Sequence, residues 1–283
     1  MEEKLKYFIE QLWQSLLSCI KIALKSNTHT PTISVESTDL VILANGPSLN
    51  KTLSEHADFL KGKMWMAVNH AVESDRFEEI KPPLYLLADP LFWIVPEFKE
   101  QVFGAMARKT TWPMTLFMPT RAYKYKDLEW QRILATNPNI QVMRFNTTPI
   151  EGFTWFANRI YRSGLGMPRP HNVLVASIAT ALRMPFKRIY LAGADHSWLP
   201  EIKVTEQNEV LMNQKHFYDH ATSQAETVTQ EDLKPARLYT ILHHMSVTYK
   251  SYFILRDFAR FQHKEVINIT PGSFIDAFPR QQL

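Results

Sequence analysis

This chain is poor in cysteine and in glycine. A single cysteine, Cys19, stands in 283 residues. That excludes an internal disulfide framework and a cysteine-built zinc site, and it suits a reducing compartment. Only 8 glycines are set against 17 prolines, so the loops are stiffened by proline more than loosened by glycine. Neither G-x-G-x-x-G nor G-x-x-x-x-G-K-[ST] occurs, which counts against a dinucleotide redox enzyme and a P-loop ATPase. The formal net charge of +4 suits anionic ligands or an anionic surface. No Lys/Arg run is dense enough to argue for nucleic acid.

What is present is an ordinary globular balance, 45% hydrophobic and 21% charged, on a length that suits one large α/β domain or two small ones. The start of the chain differs from the rest. In "EKLKYFIEQLWQSLLSCIKIALK", Leu5, Phe8, Ile9, Leu12, Trp13, Leu16, Leu17, Ile20 and Leu24 recur at i, i+3, i+4 spacing, which predicts an amphipathic helix over residues 1–25. Glu10, Gln11 and Gln14 interrupt the apolar run, so it makes a poor membrane span, and no small-residue cleavage site follows it. Such a helix either lies on an anionic membrane, with Lys4, Lys6, Lys21 and Lys25 near the headgroups, or packs on the domain or on a second subunit as a homo-oligomer. Residues 26–38 read as a polar Ser/Thr-rich linker, and 39–283 as one Rossmann-like domain.

Within that domain, apolar runs predict strands at "DLVILA", "MWMAVN", "PLYLLAD", "MTLFMP", "IQVMRF" and "RIYLAGAD". Helical segments are expected at Ser54–Lys61, Trp93–Phe103 and Asn172–Leu182. Apolar strands alternating with helices imply a mostly parallel sheet covered on both faces, with ligands at the carboxyl ends of its strands. Four of those ends carry polar side chains: Asn45-Gly46, Asn69-His70, Asp89-Pro90 and Asp195-His196. Each can serve a ligand or simply satisfy its own loop. Gly46 would let backbone approach a ligand, Pro47 can start the following turn or helix, and Ser48 can cap that helix so that its amides face an anion.

The segment "ILANGPSL" resembles the N-terminal nucleotide-binding motif of the bacterial lipooligosaccharide sialyltransferases, which use CMP-sialic acid. A similar motif occurs in motility-associated-factor glycosyltransferases and archaeal pterin pyrophosphokinase-like proteins. "AVNH", "LADPLFW", "NVLVASIATALRMPFKRIYLAGADHSW" and "VINITPGSFIDAF" are similar to later segments of those sialyltransferases in the same order, covering roughly Asp39 to Phe278 in patches. The resemblance implies an inverting, metal-independent glycosyltransferase on a Rossmann-like, GT-A-type domain, with a CMP-linked nucleotide sugar as co-substrate and no resident cofactor. Its acceptor would be a surface glycan or glycolipid, and its place the cytoplasm, peripheral on the inner face of the cytoplasmic membrane. Asn45 and Gly46 would hold nucleotide phosphate and ribose, Asn69 the nucleotide or donor sugar, and His171 and Asn172 the cytidine. The general base would be His243 or His244, with His243 preferred. Tyr218, helped by His216 and Lys215, would steady the leaving phosphate.

The chemistry suits those residue types on its own terms. A hydroxyl attacking an anomeric carbon needs a base that is neutral near pH 7, as histidine is. Helix-end amides, tyrosine or histidine can stabilise a departing phosphate. One departure matters: Asp89 stands where those sialyltransferases carry asparagine, which brings the loop closer to the other two groups. Were Asp89 and Asp195 to converge on phosphates, Mg²⁺-dependent pyrophosphoryl transfer would be the alternative. A non-catalytic nucleotide- or glycan-binding protein is a third reading. His216 and His220, with Asp219 between them, could hold a metal if their stretch is helical. Trp198 offers a stacking platform for a sugar, and Trp155, Arg159, Tyr161 and Arg162 an acceptor lid or simply a half-exposed helix.

Overall fold

The computed structural model describes residues 2–27, 33, 35–125, 127–212, 226–227 and 235–283. Tyr218, Lys215, His216, Asp219 and His220 lie outside the described residues. Among the described residues there are ten strands: β1 (Asp39–Leu43), β2 (Met64–Val68), β3 (Leu84–Leu86), β4 (Met114–Pro119), β5 (Ile140–Phe145), β6 (Arg188–Ala192), β7 (Ile202–Val204), β8 (Val210–Met212), β9 (Glu226–Thr227) and β10 (Glu265–Asn268). Seven form one parallel sheet in the order β10-β6-β1-β2-β3-β4-β5. The chain steps outward from β1 to β5, returns to the other side of β1 as β6, and ends at β10. The order therefore reverses between β1 and β6, where a crevice opens at the carboxyl ends of the strands.

Alternation along the buried strands supplies both faces of the sheet. Leu40, Ile42, Met66, Val68, Leu84 and Leu86 face a layer made by the helices Thr154–Ser163, Val173–Arg183 and Leu238–Phe261. Val41, Leu43, Ala67 and Tyr85 face the opposite layer with Leu49, Leu53, Phe103 and Trp130. The result is a Rossmann-like α/β sandwich, as the strand pattern predicts. A small antiparallel sheet, β7-β8-β9, adds to it after β6.

Several helices differ from expectation for local reasons. The first begins at Ser48 rather than Ser54, because Pro47 already holds helical angles (φ −61°, ψ −25°); Pro47 is the cap residue and Ser48 the first turn. It stops at Glu55, where His56 leaves the helical region at φ −123°. The stretch expected as one helix over Trp93–Phe103 is broken into Leu91–Ile94, Pro96–Phe98 and a π-helical turn, Lys99–Gly104, because Pro96 lacks the amide hydrogen an unbroken helix would use. The central helix begins at Val173, with Asn172 as its cap rather than inside it. At the other end of the chain, the expected linker starts with ordered contacts. Ser26 Oγ donates to Leu165 O at 2.6 Å, and Asn146 Nδ2 donates to Asn27 O at 2.8 Å.

Gly46 serves packing between neighbouring loops. Its amide donates to Gly193 O at 2.8 Å, and a Cβ there would lie 1.9 Å from Asp195 Oδ2 and 2.5 Å from Gly193 O. The Cβ position of Gly46 is thus taken by the loop after β6, while the residue itself lines the crevice. Gly46→Ala should lower stability by about 1–3 kcal/mol through overpacking, read as a lower urea midpoint at unchanged slope.

Candidate functional site

The crevice is a cleft of about 680 Å³, and the loops after β1 to β6 all reach it. Asn45, Gly46 and Pro47 come from the first loop, Asn69 from the second, Asp89 from the third, Arg121 from the fourth, Thr147 from the fifth, and Asp195 and His196 from the sixth. Arg169, His171 and Asn172 come from the segment leading into the central helix, and His244 from the long C-terminal helix. Trp198, Glu201 and Met212 border it on the side of the small sheet. The cleft thus gathers most of the expected residues. Ser48 sits just behind it, while His243 is exposed and lies outside its lining.

Several of these side chains are already engaged. The carboxylate of Asp195 accepts from Ser48 Oγ at 2.8 Å and from the Ser48 amide at 3.3 Å. The helix amide expected to meet a ligand phosphate is therefore bound to the protein's own carboxylate. Burial holds the Asp195 carboxyl above the usual carboxylate range, against the pull of the Ser48 bonds. Behind this loop, Ser273 Oγ donates to Ala194 O at 2.6 Å, and the Phe274 amide donates to Asp195 O at 2.9 Å. The Pro-Gly-Ser turn after β10 is thus a buttress for the β6 loop.

Asn172 is likewise committed to structure. Its Oδ1 accepts from the Val175 amide at 2.9 Å as the helix cap, and its Nδ2 donates to Tyr252 Oη at 2.8 Å and lies 3.0 Å from His196 Nε2. The side chain is thus engaged within the protein, and Asn172 still lines the cleft. Asp89 accepts from the Leu91 amide at 2.9 Å, bridging the start of a short helix. Asn69 adopts φ +48°, and its Oδ1 accepts weakly from the Ala88 amide at 3.4 Å. Asn45 is different. Its Nδ2 donates to Val68 O at 3.2 Å, whereas its buried Oδ1 has no hydrogen-bond partner among the described residues. A buried acceptor left open beside a cleft can take a donor from water or from a ligand.

Two histidine arrangements were not both foreseen. His171 and His244 stack with ring centroids 4.8 Å apart and planes 21° apart. His171 is held below the ordinary histidine value, first by desolvation, then by His244, Arg169 and His243 nearby, so its neutral form is favoured. Of the two adjacent histidines, His244 lines the cleft and His243 does not. Deeper in, His196 is buried at φ +53°, with its Nε2 2.5 Å from Tyr252 Oη and its ring stacked on Trp198 at 4.2 Å. This explains how Trp198 is presented to the cleft. Tyr252 and Arg121 escaped the reading of the motifs. Tyr252 stands mid-helix, and Arg121 is an ordinary-looking cation after β4, where its Nη2 donates to Ala88 O at 2.8 Å. The position of Arg121 at a strand end is the one signal that pointed to it.

The helix Thr154–Ser163 buries Ala157, Asn158 and Tyr161, and Trp155, Arg159, Tyr161 and Arg162 lie outside the cleft lining, as the half-exposed-helix reading expects. Among the described residues no group of three His, Cys, Asp or Glu is placed to share a metal ion. No protein-family model matches the chain, and no curated protein does.

Burial pushes the His196 pKa down from 6.5 to about 3. Between those values the unfolded chain takes up a proton that the folded chain refuses. Stability is therefore full above the unfolded value and falls as pH drops. From about pH 7 to about pH 5 this amounts to about 2 kcal/mol. Urea unfolding at both pH values should show that loss in the native chain, and His196→Gln should flatten the slope by about one proton.

Proposed function

We propose that the chain is an inverting, metal-independent glycosyltransferase of the GT-A-type variant that the motif resemblance implies. It moves sialic acid or a related nonulosonate from a CMP-activated donor to a glycan or lipid-linked acceptor. The observation that carries this reading is the stacked His171–His244 pair sharing one cleft with the polar ends of the strands. Asn45 Oδ1 accepts from a ribose hydroxyl or base amine of the nucleotide, and Arg121 and Arg169 favour its phosphate. The acceptor hydroxyl forms its bond to the anomeric carbon as the carbon–phosphate oxygen bond breaks. Its proton passes to His244, and the bonding pair leaves with CMP. Trp198 gives the sugar a flat apolar surface.

Isothermal titration with CMP, UDP, GDP and ATP, each with EDTA and with Mg²⁺, tests the reading. Tight CMP binding indifferent to EDTA supports it. Binding of ATP alone, and only with Mg²⁺, would sink it in favour of pyrophosphoryl transfer, the reading that Asp89 and Asp195 lining one cleft would favour. Asn45→Ala should weaken CMP binding about tenfold, the worth of one hydrogen bond. His244→Ala should leave CMP affinity unchanged and lower turnover by on the order of 10²–10⁴. Equal activity of the His244→Ala protein would make the histidine a bystander.

A further inference from the structure

The N-terminal helix, Glu2–Lys25, meets the domain through a mostly polar side, on which the half-buried Ile22 packs against the core. Its two buried residues are serines, Ser15 and Ser18. Ser18 Oγ donates to Glu151 O at 2.9 Å and accepts from the Glu151 amide at 3.0 Å. Ser15 Oγ accepts from the Phe153 amide at 3.1 Å, and Gly152 packs so closely that a Cβ there would lie 2.1 Å from that oxygen. Leu5, Phe8, Ile9, Leu12, Trp13, Leu16, Ile20 and Leu24 are all exposed, Trp13 at 60% and Leu24 at 72%. A helix on a water-soluble surface normally turns the other way, apolar side inward. The exposed surface continues onto the domain: Phe8 meets Phe153 at 5.4 Å, Phe153 stacks on Trp155, and Trp155 is 60% exposed.

We infer that this face docks on an anionic lipid bilayer, lying in the interface rather than crossing it. No helix among the described residues is long and apolar enough to cross a membrane. The exposed rings of Trp13 and Trp155 are of the amphipathic kind that sit at headgroup level. Charge selects lipid over a second copy. The helix carries Lys4, Lys6, Lys21 and Lys25 against Glu2, Glu3 and Glu10, and the adjoining helix Thr154–Ser163 adds Arg159 and Arg162 with no acidic residue of its own, so the face and its borders are positive on balance. Two copies meeting on this face would bring like-charged rims together, whereas anionic headgroups neutralise them. Glu151 links the face to the cleft. Its backbone grips Ser18, and its carboxylate pairs with Lys21 at 3.5 Å and with Arg169 of the cleft lining at 2.8 Å. Docking therefore brings the cleft mouth toward the bilayer. This holds whatever the cleft binds.

Flotation of the full chain with vesicles tests it. Vesicles of phosphatidylcholine and phosphatidylglycerol in equal parts should carry the protein, and pure phosphatidylcholine vesicles should carry on the order of tenfold less. Leu12→Ser with Leu16→Ser should reduce binding by on the order of tenfold or more, with an unchanged melting temperature because both side chains are exposed in the native fold. Lys4→Glu with Lys6→Glu should abolish the preference for anionic vesicles. Absence of binding to either vesicle would overturn the inference. So would light scattering showing a dimer that the leucine double variant converts to monomer.

Discussion

The carboxylate of Asp195 joins the two loops on which the cleft is built. It follows β6 and reaches across the sheet's reversal point to the amide and hydroxyl of Ser48, at the head of the helix after β1. Gly46 lets the two loops close to hydrogen-bond distance, and the turn after β10 holds the β6 loop from behind. Because the β1–β6 junction is where the strand order reverses, this clamp sets the floor of the cleft against which every other side chain is measured. It also occupies the helix terminus that would otherwise be the obvious seat for a phosphate. The cations that line the same cleft are Arg121 and Arg169.

Above that floor, the polar residues divide into those spent on the fold and those free for a ligand. Asn172, His196 and Tyr252 bond to one another in the interior, holding the central helix, the β6 loop and the C-terminal helix together. A neutral histidine suits this place, since a buried charge without a counterion is costly. Asn45, with its unpartnered oxygen, and His244, stacked on His171, have chemistry to spare. The division follows hydrogen-bond satisfaction: a group whose bonds are all made inside the protein has little left to offer a substrate.

The N-terminal helix follows the opposite logic to the core. Serines hold it by bonds to backbone at Glu151 and Phe153, leaving its leucines and tryptophan in contact with solvent. Exposed apolar surface of that extent is costly in water and stabilising in a lipid interface, so the same residues that burden the free protein favour docking.

Much of the fold was legible in the sequence. Continuous apolar strands such as "DLVIL" and "RIYLA", spaced by helical segments, determine a parallel sheet, because only burial on both faces suits them. The polar residues ending those strands marked the cleft for the same reason, since in a parallel sheet all carboxyl ends share one edge. The periodicity of residues 2–25 determined a helix with an apolar side. Tertiary structure alone decided the rest. Which of His243 and His244 enters the cleft depends on the rotation of a long helix, and adjacent residues there point about 100° apart. That Asp195 is tied to Ser48, that Asn172 bonds to Tyr252, and that the N-terminal helix turns its serines inward all depend on partners more than a hundred, eighty and over a hundred and thirty positions away. Local patterns specify periodicity and hydrophobicity; they do not specify which distant hydrogen-bonding partner a polar side chain will meet.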